Sequence, residues 1–179
     1  WAHQADVPAD KHYDVLVNQH VEMVNLNRSH PSILMWSMGN ESLKFKEYFK
    51  QASETVKQLD PTRPRIFSQW GPDADEGTLE ITNHHYPGPE GPDKYRHYKR
   101  PVTFDEFCHL NAYNRLELAA DPGLRNMWGK LLDAMWNDMY HSQGVLGGAI
   151  WVGIDDTFFL PGEKAVGYGT WGTIDGWRR

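Results

Sequence analysis

Short apolar runs alternate with helical patterns along this 179-residue chain, and the alternation limits its possible folds more than any other feature. Apolar residues at helical spacing predict helices at about 11–27, 45–59 and 121–143. Short segments that contain apolar or β-branched residues predict five strands, at 33–38, 65–69, 79–84, 102–107 and 147–152. Strands that alternate with helices are typical of α/β proteins with a parallel sheet, whose active sites lie at the strand ends.

The third helix carries the clearest end signals. Asp121 suits the N-cap position, Pro122 the first turn, and Gly144 the residue that stops the helix. The stretch 85–101 is rich in proline and glycine and is too interrupted for a full helix. It therefore predicts a loop over one edge of the sheet.

Composition and charge narrow the class of protein. The chain is 40% apolar and 13% aromatic, so it can bury a core. Its formal net charge is −6 and its basic residues are scattered, which argues against a nucleic-acid partner. The single cysteine, Cys108, rules out an internal disulfide and leaves the compartment undecided. We see neither a membrane-spanning run nor a signal peptide, so no membrane partner is expected. Because the sequence begins at Trp1 rather than at a methionine, we expect a piece of a larger protein.

Two glutamates stand at the ends of apolar runs. Glu41 closes the run of the first predicted strand, and Glu106 lies within the run 101–109. Because side chains alternate along a strand, Glu106 shares the inward face of Phe104, whereas Asp105 lies on the other face. Hydrolysis of a glycosidic bond needs two facing carboxylates, one to protonate the leaving oxygen and one to attack or to activate water. The pattern predicts Glu41 as the acid/base and Glu106 as the nucleophile, with a helix cap as the alternative for Glu41.

Further side chains near the strand ends are candidates for binding a substrate. Tyr86 precedes the nucleophile strand, where its phenol can donate a hydrogen bond that keeps the nucleophile ionised; the alternative is an ordinary loop tyrosine. Trp151 ends the last strand, where an indole face suits stacking on a pyranose ring or packing in the core. His85 and His109 are expected to hydrogen-bond the substrate or to pack. Together with His84 they lack the spacing and the fourth ligand of a metal centre, so no metal site is predicted.

Three motifs resemble one family of enzymes. Segments 30–33 and 36–42 resemble the acid/base signature of glycoside hydrolase family 2, the β-galactosidase and β-glucuronidase family. Segment 104–109 is similar to the nucleophile strand of that family, and 147–151 to its last barrel strand. The resemblance implies a (β/α)8 TIM barrel with the carboxylates on the fourth and seventh strands. Residues 1–179 would then form a single partial barrel domain of about five βα units, from strand four to strand eight.

The resemblance also implies a reaction and a substrate. The implied enzyme is a retaining glycosidase that cleaves terminal β-glycosidic bonds by double displacement, with the carboxyl groups of Glu41 and Glu106 about 5–5.5 Å apart. Asn40 is expected to hydrogen-bond a sugar hydroxyl beside the scissile bond. The substrate is a carbohydrate, with a galactoside favoured over a glucuronide or a mannoside. No cofactor is expected, apart from a divalent cation such as Mg²⁺ that the full-length enzyme could carry.

Two other functions stay open at this point. One is a carbohydrate-binding barrel fragment without catalysis, and the other is a metal-assisted hydrolase that uses the histidines. Metal analysis together with a panel of aryl glycosides separates them, because a binding module would be metal-free and inactive.

A barrel piece that starts at the fourth strand leaves sheet edges uncovered. We therefore expect the chain to associate, as a homo-oligomer, through the strands at 33–38 and 147–152 or through the apolar surface that they leave open. We also expect little or no turnover from this piece alone, because the first strands would carry contacts that hold a sugar in attack geometry.

Overall fold

The structure is a computed structural model that describes residues 13–42, 45–68, 77–109, 120–155, 158–159, 162, 165–166 and 172–174. The helices are α1 (Tyr13–Asn27), α2 (Lys46–Leu59) and α3 (Pro122–His141), and a short 3₁₀ helix spans Pro92–Tyr95. The strands are β1 (Trp36–Asn40), β2 (Arg65–Ser68), β3 (Thr82–Asn83), β4 (Val102–Phe107), β5 (Val145–Ile150), β6 (Phe158–Phe159) and β7 (Ala165–Val166). None of the described helices is both long and apolar enough to cross a bilayer.

The chain divides into two compact units. The first comprises Trp1–His85 and Arg100–Thr103, and the second comprises Tyr86–Lys99 and Phe104–Arg179. Strand β4 begins in the first unit and continues into the second.

Parallel strand pairs organise the first unit. Strand β1 pairs with β2, with Trp36 opposite Arg65 and an irregularity before Asn40. Strand β3 pairs with the start of β4, with Thr82 opposite Val102. Parallel pairs joined through helices confirm the α/β class predicted from the sequence.

Helices α1 and α2 pack together over one apolar core. Its buried members are Val24, Trp36, Met38, Tyr48, Ala52, Val56, Phe67 and Leu79. Helix α2 ends at Leu59, because Asp60 precedes a proline and so disfavours helical backbone. The buried Asp60 carboxylate accepts a hydrogen bond from the Trp36 indole at 3.0 Å and pairs with Arg63, which fixes the helix end against β1.

Ion pairs around the buried Arg65 connect β2 to its neighbours. Arg65 is 4% exposed, and its guanidinium lies 3.0 Å from Glu80 and 3.1 Å from Glu54. It also donates to the Ser53 carbonyl on α2 at 2.8 Å. Burial alone would raise the pKa of Glu80, but hydrogen bonds from Arg65 and Lys57 lower it to about 2.

In the second unit, β5 approaches the backbone of β4 closely. A Cβ atom on Gly148 would lie 2.1 Å from the Phe104 carbonyl oxygen, so only glycine fits at this position. Along β4 every residue is buried except Asp105, which is half-buried. A strand buried on both faces is typical of a parallel sheet.

Helix α3 begins and packs much as its sequence predicts. The Asp121 carboxylate accepts a hydrogen bond from the Gly123 N–H at 2.7 Å and caps the helix. On the inner face Met135 is 3% exposed. Of two adjacent apolar residues, Met127 is 60% exposed and Trp128 is half-buried.

The strand boundaries differ from the predicted ones by a few residues. Strand β1 begins at Trp36 rather than at 33, because the Ile33 N–H donates to the His30 carbonyl at 3.2 Å in a turn. Strand β3 is limited to Thr82–Asn83, and β5 begins at Val145. The antiparallel pair β6–β7 was not predicted, because strands of two residues leave no periodic pattern.

Candidate active site

Glu41 lies directly after β1 in the first unit. Its backbone N–H donates to the Ser68 carbonyl at the end of β2, at 2.9 Å. Its side chain is 21% exposed, and Oε1 lies 3.3 Å from Nδ1 of His85. The N-cap of α2 is Phe45, without a side-chain cap, so the structure does not support a capping role for Glu41. The carboxyl group is held at a strand end and remains partly open to solvent.

The residues on either side of Glu41 close a turn around it. Asn40 is the last residue of β1 and is half-buried. The buried Ser42 hydroxyl donates to the Asn40 carbonyl at 2.7 Å. Ser42 was not selected from the sequence. The feature that could have identified it is a small hydroxyl side chain directly after the candidate acid/base. The role predicted for Asn40 toward a sugar hydroxyl stays a prediction.

His85 follows β3 and has no exposed surface. The preceding residue, His84, is hydrogen-bonded through its N–H to the Thr103 carbonyl at 3.0 Å, so strand pairing carries the chain up to His85. A fully buried ring offers no surface to a sugar. The ring contacts Glu41 in the structure, and the expected role of His85, either hydrogen bonding to the substrate or packing, stays a prediction.

Glu106 lies on β4 in the second unit, is 7% exposed, and is held by Tyr86. The Tyr86 hydroxyl donates to Oε2 of Glu106, and the Tyr86 N–H donates to the Glu106 carbonyl at 2.7 Å. A hydrogen bond donated to a carboxylate favours its ionised form. The contact anticipated from the sequence is therefore present, and it suits a carboxylate that must attack as an anion.

A cavity of about 410 Å³ adjoins Tyr86 in the second unit. It is lined by residues of two loops and of α3, namely Tyr86, Gly88, Pro89, Cys108, His109, Leu131 and Met135. The His109 ring meets the Tyr86 ring edge to face, with centroids 5.6 Å apart. Sequence reasoning selected His109 but missed the α3 side chains, because a helix distant in sequence gives no local signal of its contacts.

Cys108 is not a candidate nucleophile. Burial raises the pKa of its thiol to about 11, so the thiol is protonated at neutral pH. The Cys108 carbonyl accepts a hydrogen bond from the Trp128 indole at 3.0 Å, which attaches the end of β4 to α3.

Trp151 lies directly after β5 and is half-buried. Its N–H donates to the Phe107 carbonyl at 3.1 Å. The stacking role predicted for its indole stays a prediction.

Left-handed backbone recurs close to the strand ends. Among the described residues, non-glycine φ values are positive at Glu41 (+46°), Tyr86 (+48°) and Cys108 (+53°). This conformation costs an L-residue about 1–2 kcal/mol. Such strain clusters at functional sites, where the surrounding structure enforces it.

Parallel strand pairs joined through helices, with a carboxylate near a strand end in each unit, define a protein of the α/β class. The sequence profile described as "Glycosyl hydrolases family 2, TIM barrel domain" matches residues 2–144. The chain therefore belongs to glycosyl hydrolase family 2, and its fold is part of the TIM barrel domain of that family, as the motifs predicted.

Characterised relatives and solved structures agree with this assignment. A β-glucuronidase of Paenibacillus borealis is 31% identical in an alignment of 121 residues that covers 54% of this chain and 20% of that protein. A β-glucuronidase of Sus scrofa is 44% identical over 50 residues, 26% of this chain and 8% of that protein. The structure of a family 2 β-galacturonidase from Eisenbergiella tayi has a TM-score of 0.68 at 18% identity, over 94% of this chain and 35% of that one.

The comparisons also show what share of each relative this chain covers and which substrates the names of the relatives give. The chain spans about a fifth of the length of the Paenibacillus borealis relative and about a third of the Eisenbergiella tayi protein. The relatives named above are β-glucuronidases and a β-galacturonidase, so they give no support to the expected β-galactosidase specificity.

Proposed function

We propose that this chain supplies the catalytic carboxylates of a retaining β-glycosidase, with Glu41 as the acid/base and Glu106 as the nucleophile. The observation that carries the proposal is the attachment of Tyr86 to Glu106 through both its hydroxyl and its backbone N–H. A nearly buried carboxylate with a donor on its oxygen is suited to remain ionised and to attack carbon. Family membership supports hydrolysis of a glycosidic bond as the reaction.

In the first step, Glu41 gives its proton to the glycosidic oxygen while a carboxylate oxygen of Glu106 attacks the anomeric carbon. The bond from that carbon to the leaving group breaks, and a glycosyl ester of Glu106 forms. In the second step, Glu41 takes a proton from water, the water oxygen attacks the anomeric carbon, and Glu106 departs as a carboxylate. Two inversions leave the configuration unchanged. The mechanism requires a carboxyl separation of about 5–5.5 Å, which stays a prediction.

We further propose a β-linked uronic acid as the sugar that is cleaved, in place of the β-galactoside expected from the motifs. The names of the relatives, β-glucuronidase and β-galacturonidase, support this choice. None of the proposed steps needs a cofactor. A requirement of the full-length protein for a divalent cation stays a prediction, which activity before and after chelation would test.

The test uses the full-length protein that contains this chain. We expect it to hydrolyse 4-nitrophenyl β-glucuronide or β-galacturonide faster than the β-galactoside, with the β-anomer as the first product detected by NMR. Azide should rescue Glu41→Ala as a β-glycosyl azide and Glu106→Gly as an α-glycosyl azide. A first-formed α-product, or the same azide anomer from both variants, would contradict the assigned roles.

A further inference from the structure

We propose that His85 is a positioning residue for Glu41, whose Nδ1–H donates to Glu41 and stabilises it as the base of the second step. This inference rests on the proposed function and assigns one of its two steps to a particular side chain. The observation is the 3.3 Å contact between His85 Nδ1 and Glu41 Oε1 within the first unit.

Both partners in this contact are held by backbone hydrogen bonds. Glu41 is fixed by its N–H to Ser68, at 2.9 Å. His85 continues from β3, where the N–H groups of Thr82 and His84 donate at 2.9 and 3.0 Å. These hydrogen bonds fix the backbone on both sides of the contact, so the Glu41 carboxyl group and the His85 ring extend toward each other from fixed positions.

The two side chains differ in exposure, and this difference assigns them different roles. The Glu41 side chain is 21% exposed and can reach a ligand or water, whereas His85 is fully enclosed. In the proposed second step the proton from water is therefore received by Glu41, and His85 acts through its contact with Glu41.

A hydrogen bond donated to a carboxylate favours the charged form over the protonated form. Glu41 must be charged when it takes a proton from water in the second step, but protonated when it serves the leaving group in the first step. Loss of the His85 donor should therefore slow the second step selectively. With an aryl glycoside whose leaving group needs little protonation, the first step should be almost unaffected.

The experiment measures kcat and KM on a 2,4-dinitrophenyl β-glycoside with the full-length protein. For His85→Leu we expect kcat to fall at least about tenfold and KM to fall in parallel, because the glycosyl-enzyme accumulates, so that kcat/KM is retained. Azide, which needs no base, should restore kcat. His85→Asn places an amide N–H near the position of Nδ1 and should retain most of kcat, whereas His85→Gln places it farther out and should not.

Thr82→Val is the matched control, since Thr82 is fully buried on β3 and its hydroxyl has no partner among the described residues. Its kinetics should equal those of the parent protein. If His85→Leu does not fold, the Asn and Gln pair decides the question. Equal kcat for that pair, unchanged kcat in His85→Leu, or a loss confined to kcat/KM would overturn the role of His85. Failure of the proposed function is distinct, because the parent protein would then hydrolyse no β-glycoside.

Discussion

At the scale of single residues, the contact between Tyr86 and Glu106 could be predicted from the sequence, but the backbone conformation of Cys108 could not. Tyr86 was selected because the motif order puts it at the end of the strand before the nucleophile, and its hydroxyl does reach Glu106. The left-handed backbone of Cys108 could not be foreseen, because it depends on how the end of β4 meets Trp128 of α3. Residue type and spacing predict which groups approach each other, whereas local dihedral angles follow from tertiary packing.

Replacing Tyr86 by phenylalanine tests the contact with Glu106. The substitution removes the donor and keeps the ring, so the nucleophile loses a hydrogen bond to a charged group, typically about 1.5–3 kcal/mol. We expect kcat/KM of the full-length enzyme to fall about 10- to 100-fold, and the melting temperature to fall as well, because the same hydrogen bond stabilises the folded protein. Tyr98→Phe, at a tyrosine that is 37% exposed, is the control and should leave the kinetics unchanged. Full activity in Tyr86→Phe would show that the hydroxyl has no part in catalysis.

The low pKa of Glu80 predicts a loss of stability in acid. Burial opposes the shift, but hydrogen bonds from Arg65 and Lys57 lower the pKa from 4.5 to about 2. Because the folded value is depressed, the stabilisation is present above about pH 4.5 and is lost as the pH falls toward 2. We expect the melting temperature to decline across this window.

The same decline should be shallower in Glu80→Gln, which cannot ionise. The exposed Glu90 provides the comparison, and Glu90→Gln should follow the parent protein. Thermal melts monitored by circular dichroism between pH 2 and 7 measure both. Parallel curves for the parent and Glu80→Gln would disprove a contribution from this carboxylate.

At the scale of secondary-structure elements, the sequence predicted existence and order better than boundaries. The start of α3 was predicted because capping is local chemistry, and Asp121 does accept from Gly123. The start of β1 was missed by three positions, because hydrophobicity alone does not reveal that the Ile33 N–H is used in a turn. Strand β3 spans only two residues although the predicted strand was longer, because a residue can be buried without pairing with a neighbouring strand.

Removing the cap of α3 should destabilise the second unit. Asp121→Ala removes the acceptor for the Gly123 N–H, and loss of such a cap typically costs about 1 kcal/mol. Asp121→Ser should retain most of the stability, because serine is also a good N-cap. Asp133, which is exposed within the same helix, gives the control substitution Asp133→Ala. Urea unfolding of the four proteins measures the differences, and equal midpoints for Asp121→Ala and the parent would show that the cap is not needed.

At the scale of the whole chain, we expect the isolated 179 residues to associate. In the described part of the chain β1 pairs with β2 only, and large apolar side chains are exposed beside β1 and on β5, at Leu34 (73%) and Leu146 (55%). Exposed strand edges and apolar side chains favour contacts between copies. Leu34→Lys should shift the population toward monomer in size-exclusion chromatography with light scattering.

Leu26→Lys serves as the control for this shift, because Leu26 on α1 is also 73% exposed but lies away from the strand edges in sequence. It should leave the association unchanged. A parent chain that elutes as a single monomeric species at high concentration would refute the expectation of open edges.

The backbone conformation at Glu41 creates a conflict between thermal stability and catalysis. An L-residue with positive φ is strained by about 1–2 kcal/mol, and glycine or asparagine at the same position relieves that strain. A mutant library screened only for survival at high temperature would therefore gather glycine or asparagine at this position, and the surviving proteins would have lost the proposed acid/base. Laboratory evolution toward stability and laboratory evolution toward turnover should therefore select different residues at position 41.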